Sequence, residues 1–415
     1  MLNRTSGFWV AALSFLIVMA YSTVPAPLWS LYQQRDGFST FAVTIAFAAY
    51  AVGVVISLFL AGHLGDSHGR RRVLLPAVAL ELLSAALFLL WPDLPGLIVA
   101  RVVSGLGIGM LTATLTAHIL DLHLTARPGA DPGRGQVVST AANLGGFGVG
   151  AALSGVLAQW APAPLVTPYV VFVVLLALAL LGVALVPETA AVPEVRPAYR
   201  PQRVRVPDHA RGRFFRAGGI AFAGFAVMGL FTSLVPGFVA GQLHITSKAT
   251  AGFVVFVAFA AAVTAQVLMR PLSLRAQIGL ATGLLVAGIV TLTAVVVVAG
   301  SLGWFFAGGL LAGAGAGPLL KAALAVAGPL ADAAHRGEVL AGIFLIGYIG
   351  LTVPVVGLGV ATLVVSLPVA LTGFTVVIAA IALATAVPLV GQLPVQSRTK
   401  TSPSMAASSA GSSGA

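Results

Sequence analysis

The chain contains no cysteine, and several other signatures of chemistry are missing as well. Without cysteine, the 415 residues hold no disulfide, no catalytic thiol and no sulfur-ligated metal. The seven histidines lack the spacing of metal ligands. The sequence has no Gly-x-x-x-x-Gly-Lys-Ser/Thr phosphate-binding loop, no nucleophile elbow and no paired carboxylates. We therefore predict a protein that is not an enzyme, has no cofactor or metal and does not use ATP directly.

Charged residues are also scarce, at 8% of the chain, whereas hydrophobic residues make up 59% and the mean hydropathy is +1.03. A water-soluble fold of this length has no interior large enough for so much apolar surface. Inside a bilayer every backbone polar group must be satisfied internally, which leaves helices or closed barrels. The apolar runs are too long and continuous for barrel strands. The composition thus predicts an all-α integral membrane protein whose main partner is the lipid bilayer.

Runs of roughly 20 apolar residues, the length that crosses the hydrocarbon core, predict twelve transmembrane helices. They would form an N-terminal six-helix bundle (1–186) and a C-terminal one (215–392), joined by a Pro- and Arg-rich cytoplasmic linker (187–214). The Ser-, Ala- and Gly-rich tail (393–415) is expected to be disordered. The predicted helices span 8–32, 39–63, 72–91, 96–122, 136–160, 165–186, 215–240, 248–269, 275–299, 302–328, 337–363 and 367–392.

The distribution of basic residues predicts the orientation. Most of the 22 Lys and Arg residues lie in segments on the same side as the N-terminus, whereas Arg35 and Lys248 lie on the other side. Cytoplasmic loops carry the excess of Lys and Arg, so both termini are predicted to be cytoplasmic. The net charge of +11 then reflects topology and not nucleic-acid binding. The composition is typical of a GC-rich bacterial genome, and we expect a monomer in the bacterial cytoplasmic membrane.

The polar segment between the second and third predicted helices carries a motif. From Gly62 to Arg72 it reads Gly-His-Leu-Gly-Asp-Ser-His-Gly-Arg-Arg-Arg. It resembles the loop between helices 2 and 3 of the major facilitator superfamily, Gly-x-Leu-Gly/Ala-Asp-Arg/Lys-x-Gly-Arg-Arg/Lys, with Ser67 in place of the usual base. The resemblance implies two pseudo-symmetric six-helix bundles and secondary transport of a small molecule by alternating access.

The resemblance also implies a role for this loop. In the superfamily its aspartate contacts the positive end of helix 11 and nearby arginines, which latches the two halves. Alternatively, Arg70 to Arg72 are only a topological anchor. Pro187-Glu188-Thr189 resembles the superfamily's Pro-Glu-Ser/Thr ending after helix 6. The residues expected to form the conformational latch are Gly62, Gly65, Asp66, Gly69, Arg70 and Arg71, with Asp121 as a second acid for Arg70.

Two charged residues inside predicted helices are candidates for proton coupling, because an ionisable group at mid-membrane is costly and needs a reason. Arg101, followed by Gly105, Gly107 and Gly109, resembles the superfamily's helix-4 motif Arg-x-x-x-Gly-x-Gly, which is associated with proton coupling. Arg stays charged, so Arg101 would tune a carboxylate or a substrate anion, and Glu81 is the candidate proton carrier. The alternatives are an Arg101 that snorkels to the interface and a structural Glu81–Arg101 ion pair.

The superfamily's central cavity is lined chiefly by helices 1, 4, 7 and 10, and this implies its lining here. An apolar, aromatic lining favours a neutral or cationic amphipathic compound over a sugar. Alternatively, these side chains pack between helices, His118 is a satisfied core histidine and Lys321 snorkels. The candidates for the substrate cavity are Tyr21, Trp29, His118, Asn143, Phe225, Met228 and Lys321.

We therefore predict proton-driven efflux of a drug-like compound or metabolite, as in bacterial efflux permeases. The Gly-rich fifth helix, from Asn143 to Gly150, only loosely resembles the Gly-Pro-x-x-Gly-Gly motif of drug–proton antiporters, because the proline is missing. Proton-coupled uptake of a nutrient is the second hypothesis, favoured if a cavity charge binds substrate. A non-transporting sensor on the same scaffold is the third, and no residue pattern requires it.

Overall fold

The computed structural model describes residues 2–62, 64–190, 199–241, 243–298, 300–332 and 335–393. Within them, 12 helices are long and apolar enough to cross a membrane, and no strand occurs. This confirms the predicted all-α membrane class. The helices, numbered α1 to α12, are Arg4–Asp36, Thr40–Ala61, Arg70–Leu90, Leu94–Ala126, Gly133–Trp160, Thr167–Leu185, Asp208–Ser233, Lys248–Leu268, Leu274–Val297, Leu302–Leu330, Arg336–Ala361 and Leu367–Gln392.

Two predicted segments fall partly or wholly outside the described residues. They are the linker, of which 191–198 are not described, and the tail, of which 394–415 are not described. The helix α7 begins at Asp208, inside the predicted linker and before the predicted start at residue 215. The end of the molecule at which α2 meets α3 and α4 meets α5 is called the basic end below, because Arg70, Arg71 and Arg134 lie there.

The first helix is interrupted where one continuous helix was predicted. Its regular part, Arg4–Tyr21, is followed by a 3-10 turn at Ala26–Leu28 and a second short helix, Trp29–Asp36. Pro25 and Pro27 lack the N–H groups that a continuing helix needs, and their rings clash with the preceding turn. The prolines therefore stop the first part of α1 in the middle of the bundle.

The equivalent helix of the second half ends in a similar way. The helix α7 stops at Ser233, and a short helix, Val235–Gly241, follows it. Pro236 explains the interruption, because its ring would collide with the carbonyl of Thr232 in a continuous helix. The first helix of each half is thus interrupted in the part that lies away from the basic end.

Buried apolar side chains form two large cores. One lies between Phe8 and Val186, and the other lies mainly between Phe214 and Leu389. They fall within the two predicted six-helix halves. Two residues of α2, Phe47 and Ala51, pack in the core of the second half. The halves therefore share apolar contacts along α2, and a smaller cluster joins α5 to α8.

Glycine sets the distance between several helices. A Cβ at Gly150 in α5 would overlap the carbonyl oxygen of Ala20 in α1. By contrast, a Cβ at Gly145, on the same helix, would meet no atom within 4 Å. Helix association inside a bilayer depends on such close backbone approach at small residues. The two glycines therefore differ in structural importance although they lie on one helix.

We expect Gly150→Ala to destabilise the protein by about 1–3 kcal/mol, because the added methyl group forces α5 away from α1. The melting temperature of the detergent-purified protein measures the effect. Gly145→Ala is the matched control, and it should melt at or slightly above the wild-type temperature, since Ala favours helix over Gly. Equal melting temperatures for the two variants would contradict the packing argument.

Candidate functional site

A central cavity of about 120 Å³ lies between the two halves. It continues into a second lobe toward the basic end, and the two share Thr112, Asn143 and Leu144 in their walls. On the far side, Trp29 separates the cavity from a recess at the opposite end and contributes to the walls of both. The aromatic side chains of the central cavity are Trp29, Phe47, Tyr50, Phe147, Phe225, Phe259, Phe344 and Tyr348.

Arg101 lines this cavity and is 4% exposed. Its Nη1 donates a hydrogen bond to the carbonyl oxygen of Ser22 over 2.8 Å. The guanidinium carbon lies 4.4 Å from the centre of the Tyr50 ring, a cation–π contact. Its buried Nε has no acceptor. Arg101 therefore does not snorkel to the interface, and its charge faces the space between the halves.

The break in α1 explains why Arg101 finds a carbonyl here. In a continuous helix Ser22 O would accept from Ala26 N, but Ala26 N bonds to Thr23 O instead, over 3.0 Å. The carbonyl of Ser22 is free for Arg101. A cation at a helix C-terminus is also stabilised by the partial negative charge of that end. The prolines of α1 thus prepare the site of the arginine.

Glu81 is fully buried between α3 and α4 and does not line the cavity. Ser104 donates to its Oε2 over 2.8 Å, and its Oε1 has no hydrogen-bond partner. The ion pairs of the described residues, taken to 4.0 Å, do not include Glu81 with Arg101. Their proposed structural ion pair is therefore absent. Ser104 follows Arg101 by one helical turn of α4, so its hydrogen bond holds the Glu81 carboxyl close to the turn that carries Arg101.

The predicted cavity residues separate into two groups. Trp29, Asn143, Phe225 and Met228 line the central cavity, and Lys321 lines the lobe toward the basic end.

The placement of Tyr21 and His118 in the cavity is wrong. Tyr21 points into the N-terminal core, where its hydroxyl bonds Ser84 over 2.9 Å. His118 is buried, and its Nδ1 lies 2.8 Å from the hydroxyl of Thr189, beyond α6. Both polar groups thus find partners inside the first half, which draws the side chains away from the cavity.

Sequence reasoning missed the aromatic residues of α2 and α11, because it assigned the lining to helices 1, 4, 7 and 10. Phe47 and Tyr50 lie three residues apart, and Phe344 and Tyr348 lie four apart. At these spacings each pair occupies one face of its helix. That periodicity was the available signal, although it does not distinguish a cavity wall from a packing surface.

At the basic end, the segment between α2 and α3 forms a short helix, Leu64–His68. Gly69 has a φ of +98°, a conformation that disfavours any residue with a Cβ. A Cβ at Gly65 would lie 2.9 Å from Cγ2 of Thr114, so this glycine lets the segment rest against α4. Gly62 ends α2 as its C-cap. The side chain of Asp66 lies outside the described part of the chain, and its contact with α11 stays a prediction.

Arg70 and Asp121 are brought together as the sequence predicted, with 2.9 Å between Nη2 and Oδ2. The first turn of α3 has a further partner from beyond α6. Glu188 accepts hydrogen bonds from the backbone amides of Arg70, over 3.1 Å, and Arg71, over 3.0 Å. Gly69 has no side chain to cap this helix, so Glu188 satisfies amides that would otherwise be orphaned.

The capping contact changes the acidity of Glu188. Partial burial raises the pKa of its carboxyl, but hydrogen bonds from the amides of Ala190, Arg71, Arg70 and Thr189 outweigh this effect. The net result is a pKa below the ordinary value, since these bonds stabilise the carboxylate. The sequence signal for this residue was the Pro-Glu-Thr ending after the sixth helix.

Comparison with known proteins gives a family match and several relatives. The model of the Major Facilitator Superfamily matches residues 10–275, more than half of the chain. The arabinose–proton symporter of Bacillus subtilis is 34% identical over 83 residues, which is 20% of this chain and 18% of that protein. The 3-(3-hydroxy-phenyl)propionate transporter of Escherichia coli is 35% identical over 112 residues, 27% of this chain and 26% of that protein.

An uncharacterized transporter of the Major Facilitator Superfamily type from Mycobacterium tuberculosis is 29% identical over 161 residues, which is 38% of this chain and 28% of that protein. The matches thus span between 18% and 28% of the length of these curated relatives.

Two solved structures share the fold. The human organic anion transporter TETRAN superposes with a TM-score of 0.68 at 16% identity, over 94% of this chain and 100% of that one. The nucleoside transporter NupG superposes with a TM-score of 0.67 at 10% identity, over 94% and 99%. At these identities the likeness concerns the fold alone.

We expect the capping contact of Glu188 to stabilise the protein at neutral pH and to be lost in acid. The folded state holds the carboxylate at a lowered pKa, so its contribution is present above the ordinary carboxyl range and disappears as the pH falls below about 4. Glu188→Gln should therefore melt at a lower temperature than the wild type at pH 7, with the difference shrinking as the pH falls.

Melting temperatures across a pH series measure this difference. Asp208→Asn is the control, since the side chain of Asp208 is 86% exposed and its ion pair among the described residues is with Arg211. A wild-type advantage over Glu188→Gln that stays constant down to pH 3 would contradict the assignment.

Proposed function

Because the chain belongs to the Major Facilitator Superfamily, we propose that it is a secondary active transporter. It moves a small organic solute by alternating access and uses the proton gradient, not ATP, as its energy source. The observation that carries the proposal is the central cavity, whose walls come from both halves and which reaches the basic end through its second lobe. The proposed partners are this solute and the bilayer, and the proposed active unit is a monomer.

Contacts at the two ends support alternating access. At the end opposite the basic end, Gln159 of α5 accepts from the backbone amide of Lys248 at the start of α8, over 2.8 Å. At the basic end, Asp131 and Arg270 face each other across the halves at 3.7 Å. Alternating access would require these contacts to separate and re-form in turn, one end at a time.

The proposed membrane is the bacterial cytoplasmic membrane, with both termini and the basic end in the cytoplasm. The positive-inside distribution of Lys and Arg supports this orientation. The latch residues then lie at the cytoplasmic face, where Asp66 acts when the halves close there.

For the direction of transport, we place proton-coupled uptake first. The relative from Bacillus subtilis is named a proton symporter, and the Escherichia coli relative is named for an aromatic acid. Arg101 and Lys321 put two cations in the cavity walls, which is unfavourable for the cationic drugs that an exporter was predicted to carry. Efflux remains the second candidate, because the cavity walls are apolar enough for lipophilic compounds.

The proposed proton carrier is Glu81. Its carboxyl is buried beside α4, and Ser104 links it to the helical turn that carries Arg101. The Oε1 atom of Glu81 lies close to Gly107, because a Cβ at Gly107 would come within 2.5 Å of that oxygen. An ionisable group at this depth is expected to have a function. Protonation would remove the cost of a buried charge, and Arg101 carries the charge that responds to the substrate.

We expect Glu81→Gln to abolish substrate-dependent proton movement, because the amide cannot carry the proton. Proteoliposomes with an internal pH-sensitive dye and a panel of sugars, lipophilic drugs and aromatic acids measure this flux. The control is Asp93→Asn, which changes an exposed carboxylate at the start of α4. Proton flux at the wild-type rate in folded Glu81→Gln would exclude Glu81 as the carrier.

We expect Asp66→Asn to lower the transport rate by tenfold or more while leaving membrane insertion and solute binding intact. The neutral amide cannot hold the closed cytoplasmic face as the carboxylate does. Uptake of the best solute from the same panel measures the rate, and the yield in the membrane fraction measures insertion. Transport by Asp66→Asn at the wild-type rate would remove the argument for a latch.

A further inference from the structure

The charged side chains that line the cavity have one sign. Among the described residues, Arg101 is the charged group of the central cavity and Lys321 is that of the lobe toward the basic end. Within the described part of the chain no carboxylate lines either of them, and Glu81 lies behind α4, outside both. A solute in this space therefore experiences a positive potential from both directions.

Arg101 has more donors than its neighbours satisfy. A guanidinium has five N–H donors in a planar fork, and it matches a carboxylate with two parallel hydrogen bonds. Here one donor bonds Ser22 O and the ring of Tyr50 covers the charge, but buried Nε has no acceptor. The partial charge of the α1 helix end offsets only part of a full positive charge. The site lacks an anion.

The rest of the central cavity is suited to an apolar body. Phe225 and Tyr348 meet edge to face with ring centres 5.3 Å apart, and Met228 and Phe344 lie beside them in the wall. These four residues come from the second half, whereas Arg101 comes from the first. A solute held by both would bridge the halves, with its charged end at α4 and its apolar end at α7 and α11.

We propose that the solute is a small organic monoanion, a carboxylate joined to an apolar or aromatic body, and that the carboxylate pairs with Arg101. The inference rests on the proposed transport function and names its substrate class. It replaces the expectation of a neutral or cationic compound. It also fits proton symport. A membrane potential that is negative inside opposes the entry of an anion, and an accompanying proton cancels the anion's charge.

A charge series on the wild-type protein tests the substrate class. The full-length protein in lipid nanodiscs is titrated with 3-phenylpropionate, 3-phenylpropanol and 3-phenylpropylamine, which share one apolar body. We expect the carboxylate to bind at least tenfold more tightly than the alcohol and the amine to bind least. Equal binding of acid and alcohol, or tighter binding of the amine, would overturn the proposal.

Two substitutions then locate the carboxylate. Arg101→Gln should weaken 3-phenylpropionate binding at least tenfold and leave 3-phenylpropanol unchanged, and Arg101→Lys should retain part of the preference for the acid. Arg211→Gln is the matched control, since it removes an exposed cation outside the cavity and its lobe, and its affinity for the acid should stay within threefold of wild type. Loss of binding in Lys321→Gln with none in Arg101→Gln would overturn the assignment to Arg101.

A transport assay separates this proposal from the proposed function. Proteoliposomes that take up 3-phenylpropionate together with protons support both. Proton-coupled uptake of a neutral sugar or alcohol, without any of the acid, would leave the transport function standing and overturn the anion site. Binding of the acid through Arg101 without transport of any solute would support the site and contradict the transport function.

Discussion

The burial of one guanidinium in the membrane interior constrains much of the first half. Arg101 needs an acceptor and a polarisable neighbour, because a charge at this depth is costly. The interrupted helix α1 supplies the carbonyl of Ser22, and α2 supplies the ring of Tyr50. Gly105, one turn further along α4, allows α2 to approach, since a Cβ there would overlap the carbonyl oxygen of Tyr50. The Arg-x-x-x-Gly pattern is thus one packing unit.

The same helix connects the cavity to the basic end. Further along α4, Gly107 leaves room for the Glu81 carboxyl, and Asp121 pairs with Arg70 near the start of α3. Glu188 caps α3 from the segment beyond α6, so three helices of the first half meet at one charged cluster. These packed contacts link the basic end to the helix that carries Arg101.

The sequence predicted the class, the helices and the pairing of Arg70 with Asp121 because each depends on local composition or on a recognisable motif. It failed where the answer depends on which face of a helix meets which neighbour. Tyr21 and His118 have the chemistry of cavity residues, yet partners on α3 and beyond α6 turn both into the first half. Phe47 and Tyr50 were missed for the opposite reason, since an apolar residue in a membrane helix gives no sign of facing a cavity.

An unpaired cation in the cavity also bears on how the halves close. When the lobe toward the basic end is open to solvent, water can reach and solvate Arg101 through it. Closing both ends excludes that water. The free-energy cost of the unpaired charge then rises, because an ion is solvated less well as the surrounding dielectric constant falls. A carboxylate on the guanidinium makes the closed cavity neutral. With the proposed anion site, the empty transporter would favour the open state and the loaded one the closed state, so solute binding would itself trigger the conformational change.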